Sequence, residues 1–209
     1  MGIAIDVPGL DTIIPEIGNG RVVVVEGGAD LTNSFFVRKL ALTAVRTGRP
    51  LTFVTSRDQS DLRELFAGAA DLPSGPPSAV RVVEKDSIDG LEEFAPEDGL
   101  LVVDSFSFLT LELPAHRLAG LLRRLHAACR ERFSIAVLAT DRGMFDPRAE
   151  AVTIHLSDGF LQFHAREGPE GVVRFLRIPK WTDGKFVDRN IYYDFDGKRI
   201  AVDLRSRVI

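Results

Sequence analysis

Val22 to Val25 form an unbroken β-branched run between Arg21 and Glu26, and the pair Gly27-Gly28 closes it. An apolar run of this length without polar alternation predicts a strand buried on both faces, as in a parallel sheet. After a loop over residues 27–33, Phe35, Phe36, Leu40, Ala41 and Ala44 recur at helical spacing from Ser34 until Gly48 and Pro50 stop the helix. The same alternation of buried run and periodic segment then repeats. Residues 51–55 predict a strand, and 61–70 a helix with Leu62, Leu65, Phe66 and Ala69 on one face. A Pro/Gly/Ser connection covers 72–78, and a short third strand is expected over 79–83. Residues 99–104 again run apolar into a carboxylate, Asp104. The longest helix is expected over 114–132, with Leu118, Leu121, Leu122, Leu125 and Ala128 as its buried stripe, followed by a buried strand over 134–139.

From Ala151 the pattern changes to short alternating runs, 152–156, 159–164, 172–179, 189–195 and 199–204, separated by turn signals at 167–171 and at Asp196-Gly197. These read as hairpins. The chain is therefore expected to be a single α/β domain, residues 1–209: a three-layer sandwich whose mostly parallel central sheet is extended by C-terminal antiparallel strands. No internal repeat and no low-complexity segment interrupts it.

Composition adds few constraints. With 209 residues, of which 45% are apolar, the chain can bury a core without a disulfide or metal staple. Its one cysteine, Cys129, forms no internal bridge and fits a reducing compartment. No apolar run approaches the ~20 residues that a membrane helix needs. The opening residues, with Asp6 and Pro8 and no basic start, do not read as a signal peptide, so a cytoplasmic location is expected. A net charge of -4 with mixed signs argues against nucleic acid as a partner.

Ligands of open parallel sheets sit at the carboxyl ends of the strands. Two such ends stand out. The segment Gly27-Gly-Ala-Asp-Leu-Thr-Asn-Ser34 has the length and position of a phosphate-binding loop between strand and helix. Asp104-Ser105 stands where an acidic residue closing a strand holds Mg²⁺ in phosphate-loop proteins. With Asp158-Gly159 opening a later strand and Arg174-Phe-Leu-Arg-Ile-Pro-Lys180 following it, these features resemble the KaiC-like ATPases of the RecA superfamily, common in archaea. The resemblance runs from about Pro8 to Val202. It implies a RecA-like fold, and a nucleotide site with Mg²⁺ at Gly27, Gly28, Thr32, Asn33, Ser34 and Asp104. In KaiC-like hexamers the basic residues at the matching place reach a neighbour's nucleotide, so Lys180 and the adjacent Trp181, the single tryptophan, become interface candidates.

The departures from that pattern carry the functional expectation. Thr32 stands at the loop's second glycine and Asn33 at its lysine. A side chain at the first position hinders the backbone's close approach to phosphate, and an amide carries no charge to set against it. Asp30 adds a carboxylate to the loop. Exchanging an attractive for a repulsive charge contact at ~4 Å costs several kcal/mol even at an effective dielectric of ~20, which lowers affinity by orders of magnitude. Arg57-Asp58 replaces the family's two glutamates, and an arginine is no general base.

The expected function is thus a non-hydrolysing pseudo-ATPase, a regulatory or structural subunit that assembles with itself or with an active KaiC- or RecA-like paralogue. No residue is assigned a catalytic role. Two other readings stay open: a divergent ATPase in which Arg38, one helical turn after Ser34, replaces the lysine, and a recombination-mediator-like module for single-stranded DNA. Thr32, Asn33 and Ser34 are equally good N-cap residues, and Asp104 can cap the loop that follows it. His116, His126, His155 and His164 lack metal-ligand spacing or a local acidic companion and are expected at the surface or facing a partner. Phe106 and Phe108 read as core or interface.

Overall fold

The structure is a computed structural model that describes residues 2–28, 32–56, 80–168, 171–182 and 187–202. Its centre is a nine-stranded sheet in the order β11-β10-β9-β8-β3-β7-β6-β4-β5. The strands are β3 (Arg21–Gly27), β4 (Leu51–Thr55), β5 (Val80–Glu84), β6 (Leu100–Val103), β7 (Ile135–Asp141), β8 (Gly159–Gly168), β9 (Gly171–Trp181), β10 (Val187–Phe195) and β11 (Ile200–Val202). A separate two-stranded sheet pairs β1 (Ile3–Ala4) with β2 (Glu16–Ile17), Ile3 opposite Ile17.

The four valines of β3 show why a two-sided sheet forms. Successive strand side chains point to opposite faces. Val23 and Val25 join one core with Phe36, Leu40 and Ala41 of helix α1 (Thr32–Arg46), while Val22 and Val24 join another with Leu118, Leu122 and Leu125 of helix α2 (Ala115–Glu131). Each core holds roughly half of the buried apolar residues, which makes the molecule a helix–sheet–helix sandwich. Ile5, Val7, Leu10 and Ile14 from the N-terminal segment complete the α1 side, a contribution that the strand-and-helix pattern did not signal.

Helix α2 ends where the sequence has no glycine. Phe133 adopts a left-handed φ of 52°, Ser134 N–H donates to Cys129 O at 2.9 Å, and the chain turns directly into β7. The helix C-terminus is thus closed by backbone bonds alone.

Two expectations are corrected. Residues 152–156, read as a strand, are the last half of helix α3 (Pro147–Leu156). Asp146 caps that helix, its Oδ1 accepting from Arg148 N–H at 2.7 Å and Ala149 N–H at 2.9 Å, with Pro147 in the first turn. The Asp-Pro start signal outweighs the strand preference of Val152, Thr153 and Ile154. The switch to antiparallel pairing also comes one strand later than expected: β8 runs parallel to β3, Val23 opposite Gly159, and antiparallel to β9, Gly159 opposite Trp181. The helix expected over 61–70 and the connection over 72–78 lie outside the described residues.

Candidate functional site at the carboxyl ends of the strands

Because β3, β4, β6 and β7 are parallel, Gly27, Thr55, Asp104 and Asp141 come to the same end of the sheet. Every described residue of the expected nucleotide site lies there, at the end of β3, in the first turn of α1 or just after β6. Asp30, Arg57 and Asp58 lie outside the described residues.

Thr32, Asn33 and Ser34 form the opening turn of α1 and are buried. They are therefore inside the helix and not its cap. Asn33 is turned inward onto the sheet: its Nδ2 donates to Thr140 O on β7 at 3.0 Å. Its side chain packs so tightly over Gly27 that a Cβ added there would lie 2.6 Å from the Asn33 Cβ. Gly27 is thus required by Asn33 itself. Asn33 Oδ1 is buried without a hydrogen-bond partner among the described residues. Asp104 is buried, and its backbone N–H donates to Val54 O at 2.9 Å. Arg38 is half-buried in α1, with its Nε enclosed and without a hydrogen-bond partner among the described residues.

A second set of residues at this end escaped sequence reasoning because its members are far apart along the chain. Buried Glu26 receives Arg142 Nε at 3.1 Å and Gln162 Nε2 at 3.2 Å on the same oxygen, Oε1. Arg142 also donates from Nη2 to Phe163 O at 2.8 Å, and its backbone N–H donates to Gly27 O at 2.8 Å. Arg142 therefore balances a buried carboxylate and ties β7 to β3 and β8. Ser107 Oγ similarly meets Asp141, accepting from its N–H at 3.1 Å. Two strands outward, His164 stacks on Phe175 with centroids 4.6 Å apart and planes 7° apart. Burial above all, with the Arg142 and Arg177 charges second, pushes its pKa down to about 4, so the ring is neutral at physiological pH.

The two interface candidates have partners within the chain. Lys180 Nζ donates to Ile154 O at 3.1 Å and His155 O at 2.6 Å, closing the C-terminus of α3. Trp181 lies against Gly159, where an added Cβ would come within 2.6 Å of its ring.

Of the histidines, His116 and His155 are exposed as expected. His126 is not: its Nε2 is 2.6 Å from Leu156 O and its Nδ1 3.4 Å from Asp158 Oδ2, a companion that local spacing could not reveal. Among the described residues no group of three or more side chains is arranged to hold a metal ion. Phe106 is buried in the α2 core, whereas Phe108 is exposed.

A family model described as a family of unknown function (DUF7125) matches residues 17–209. No curated protein matches the chain. Among solved structures, the chain is similar to a KaiC-like protein from the hyperthermophilic archaeon Pyrococcus horikoshii, with a TM-score of 0.72 and 18% identity over 97% of this chain and 99% of that one. It is similar also to the flagellar accessory protein FlaH from Methanocaldococcus jannaschii, with a TM-score of 0.73 and 14% identity over 98% and 100%. The fold is accordingly the RecA-like fold of these proteins.

Proposed function

Since the chain belongs to the DUF7125 family of unknown function and has a RecA-like, KaiC-like fold, we propose that it is a pseudo-ATPase: a subunit that keeps the architecture and has lost nucleotide turnover. It acts through assembly with itself or with an active KaiC- or RecA-like paralogue. The observation that carries this reading is Asn33. At the place of the phosphate-binding lysine stands a short amide, buried and hydrogen-bonded to β7, over a glycine it leaves no room to alter. A phosphate loop needs its cation reaching out over the β- and γ-phosphates, and needs bare backbone at the second glycine, which here is buried Thr32. We infer from these residues that ATP with Mg²⁺ is not held at this end.

Calorimetric titration with Mg-ATP tests the reading. The native chain is expected to show no binding in the low-micromolar range, and the paired change Thr32→Gly with Asn33→Lys to restore measurable binding. Low-micromolar binding by the native chain would overturn it.

Arg38 supports a second reading, residual ATP hydrolysis, because a half-buried guanidinium whose Nε has no hydrogen-bond partner among the described residues lies one turn beyond Ser34. Phosphate release that vanishes in Asp104→Asn is the result this alternative requires.

A further inference from the structure

At the opposite, amino end of the sheet, α2, the end of α3 and the junction of β8 with β9 border a shallow, largely open cleft of about 650 Å³. Arg123, His126 and Arg130 of α2 line it together with His155 and Lys180, and Trp181 borders it with its ring packed on Gly159 at the α1 face of the sheet. Positions three, four and seven apart share a helix face, so Arg123 and Arg130 stand two turns apart on one side, separated by ~10 Å along the axis. Both are exposed, and neither they nor His155 has a carboxylate partner among the described residues.

What would repel an anion here is already answered. Among the described residues that line the cleft, Asp158 is the one carboxylate. Its Oδ2 accepts from Val22 N–H at 2.9 Å, its Oδ1 pairs with Arg21 at 3.3 Å, and His126 lies alongside. The carbonyls that end α3 take the Lys180 ammonium, which has a third N–H to give. The field left in the cleft is positive, in a chain whose net charge is -4. A concave site lined by one sign of charge concentrates counter-ions.

We propose that this cleft binds a small polyphosphate-bearing ligand, a nucleoside polyphosphate or the bare phosphate chain. Two arginines set apart along a helix match an extended oligoanion, each offering a planar fork to phosphate oxygens. A volume of several hundred Å³ suits a small ligand. The site lies at the other end of the sheet from Asn33, and its proposal does not rest on the reading of the carboxyl-end site.

Isothermal titration calorimetry of the full chain reads binding in this cleft directly, since the ring of the single tryptophan, Trp181, lies on the other face of the sheet. Titration with inorganic tripolyphosphate is expected to give a saturable change, and the double variant Arg123→Glu with Arg130→Glu to shift its midpoint at least about tenfold higher. Both side chains are exposed, so the double variant should keep its thermal midpoint, and an Arg148→Glu control should titrate as the native chain. A parallel titration with ATP separates the sources: equal midpoints mean that the phosphate chain alone is read, and a lower one for ATP adds the base. Both results support the site. No saturable change up to the low millimolar range, an unchanged double variant, an equal response to sulfate at matched ionic strength, or a response to polyglutamate alone would each overturn it. Binding that survives unchanged in the Arg123→Glu with Arg130→Glu variant belongs to another site, which keeps failure here distinct from failure of the pseudo-ATPase reading.

Discussion

Position 33 shows how one side chain can fix a helix start against its sheet. An amide hydrogen-bonded to Thr140 O and packed on Gly27 locks the first turn of α1 against β7, where a lysine would have to reach outward. His164 carries a different consequence. Its depressed pKa means that the folded chain binds fewer protons than the unfolded chain between about 4 and the ordinary value of 6.5. Stability is therefore expected to be constant above pH 6.5 and to fall as pH drops from 6.5 to about 4, with no further loss from this group below that. His164→Phe keeps the stack on Phe175 and removes the titration. Urea unfolding across that range should show a flatter profile for the variant, and an unchanged slope would remove His164 as the cause. The identities at 32, 33 and 104 were legible in the sequence; the inward turn of Asn33 was not, because it depends on a strand far along the chain.

At the scale of elements, the contact between β8 and β9 is the most sharply constrained. Gly159 faces Trp181 across the antiparallel pair, with room for hydrogen only. Gly159→Ala is expected to destabilise the protein by about 1–3 kcal/mol, the usual cost of overpacking. In Gly159→Ala with Trp181→Leu the loss should be smaller than the sum of the single changes, because the clashing ring is gone. Chemical denaturation of the four proteins checks this, and strict additivity would show that the ring is not the obstacle. Helices and buried strands with clear periodicity were legible to within two residues, as at α2 and β6. The miss at residues 152–156 came from reading β-branched residues without the Asp146-Pro147 start that commits them to α3. The parallel partner of β8 was hidden too, since strand direction is set by where the preceding helix delivers the chain.

For the whole molecule, the sheet separates two chemistries. Its carboxyl end holds Asn33 and the Glu26–Arg142–Gln162 network, and its amino end the cationic cleft. No described helix is long and apolar enough to cross a membrane. The proposed action through assembly has a direct check: sedimentation equilibrium should give either a multiple of the 23.0 kDa chain mass or a complex with a RecA-like paralogue. A monomer that stays at that mass in both settings would remove assembly from the proposed function and leave the two site predictions untouched. Hydrophobic periodicity, glycine and proline punctuation, and the residues at 32 to 34 by themselves determined the α/β class and the absence of a lysine from positions 32–34, since those depend on local spacing. Only the tertiary structure decided that Asn33 faces β7, that Arg142 serves Glu26, that Lys180 closes α3 and that a positive cleft lies opposite the loop. Each of these joins residues from separate elements, and sequence spacing carries no information about such contacts until the sheet order brings the elements together.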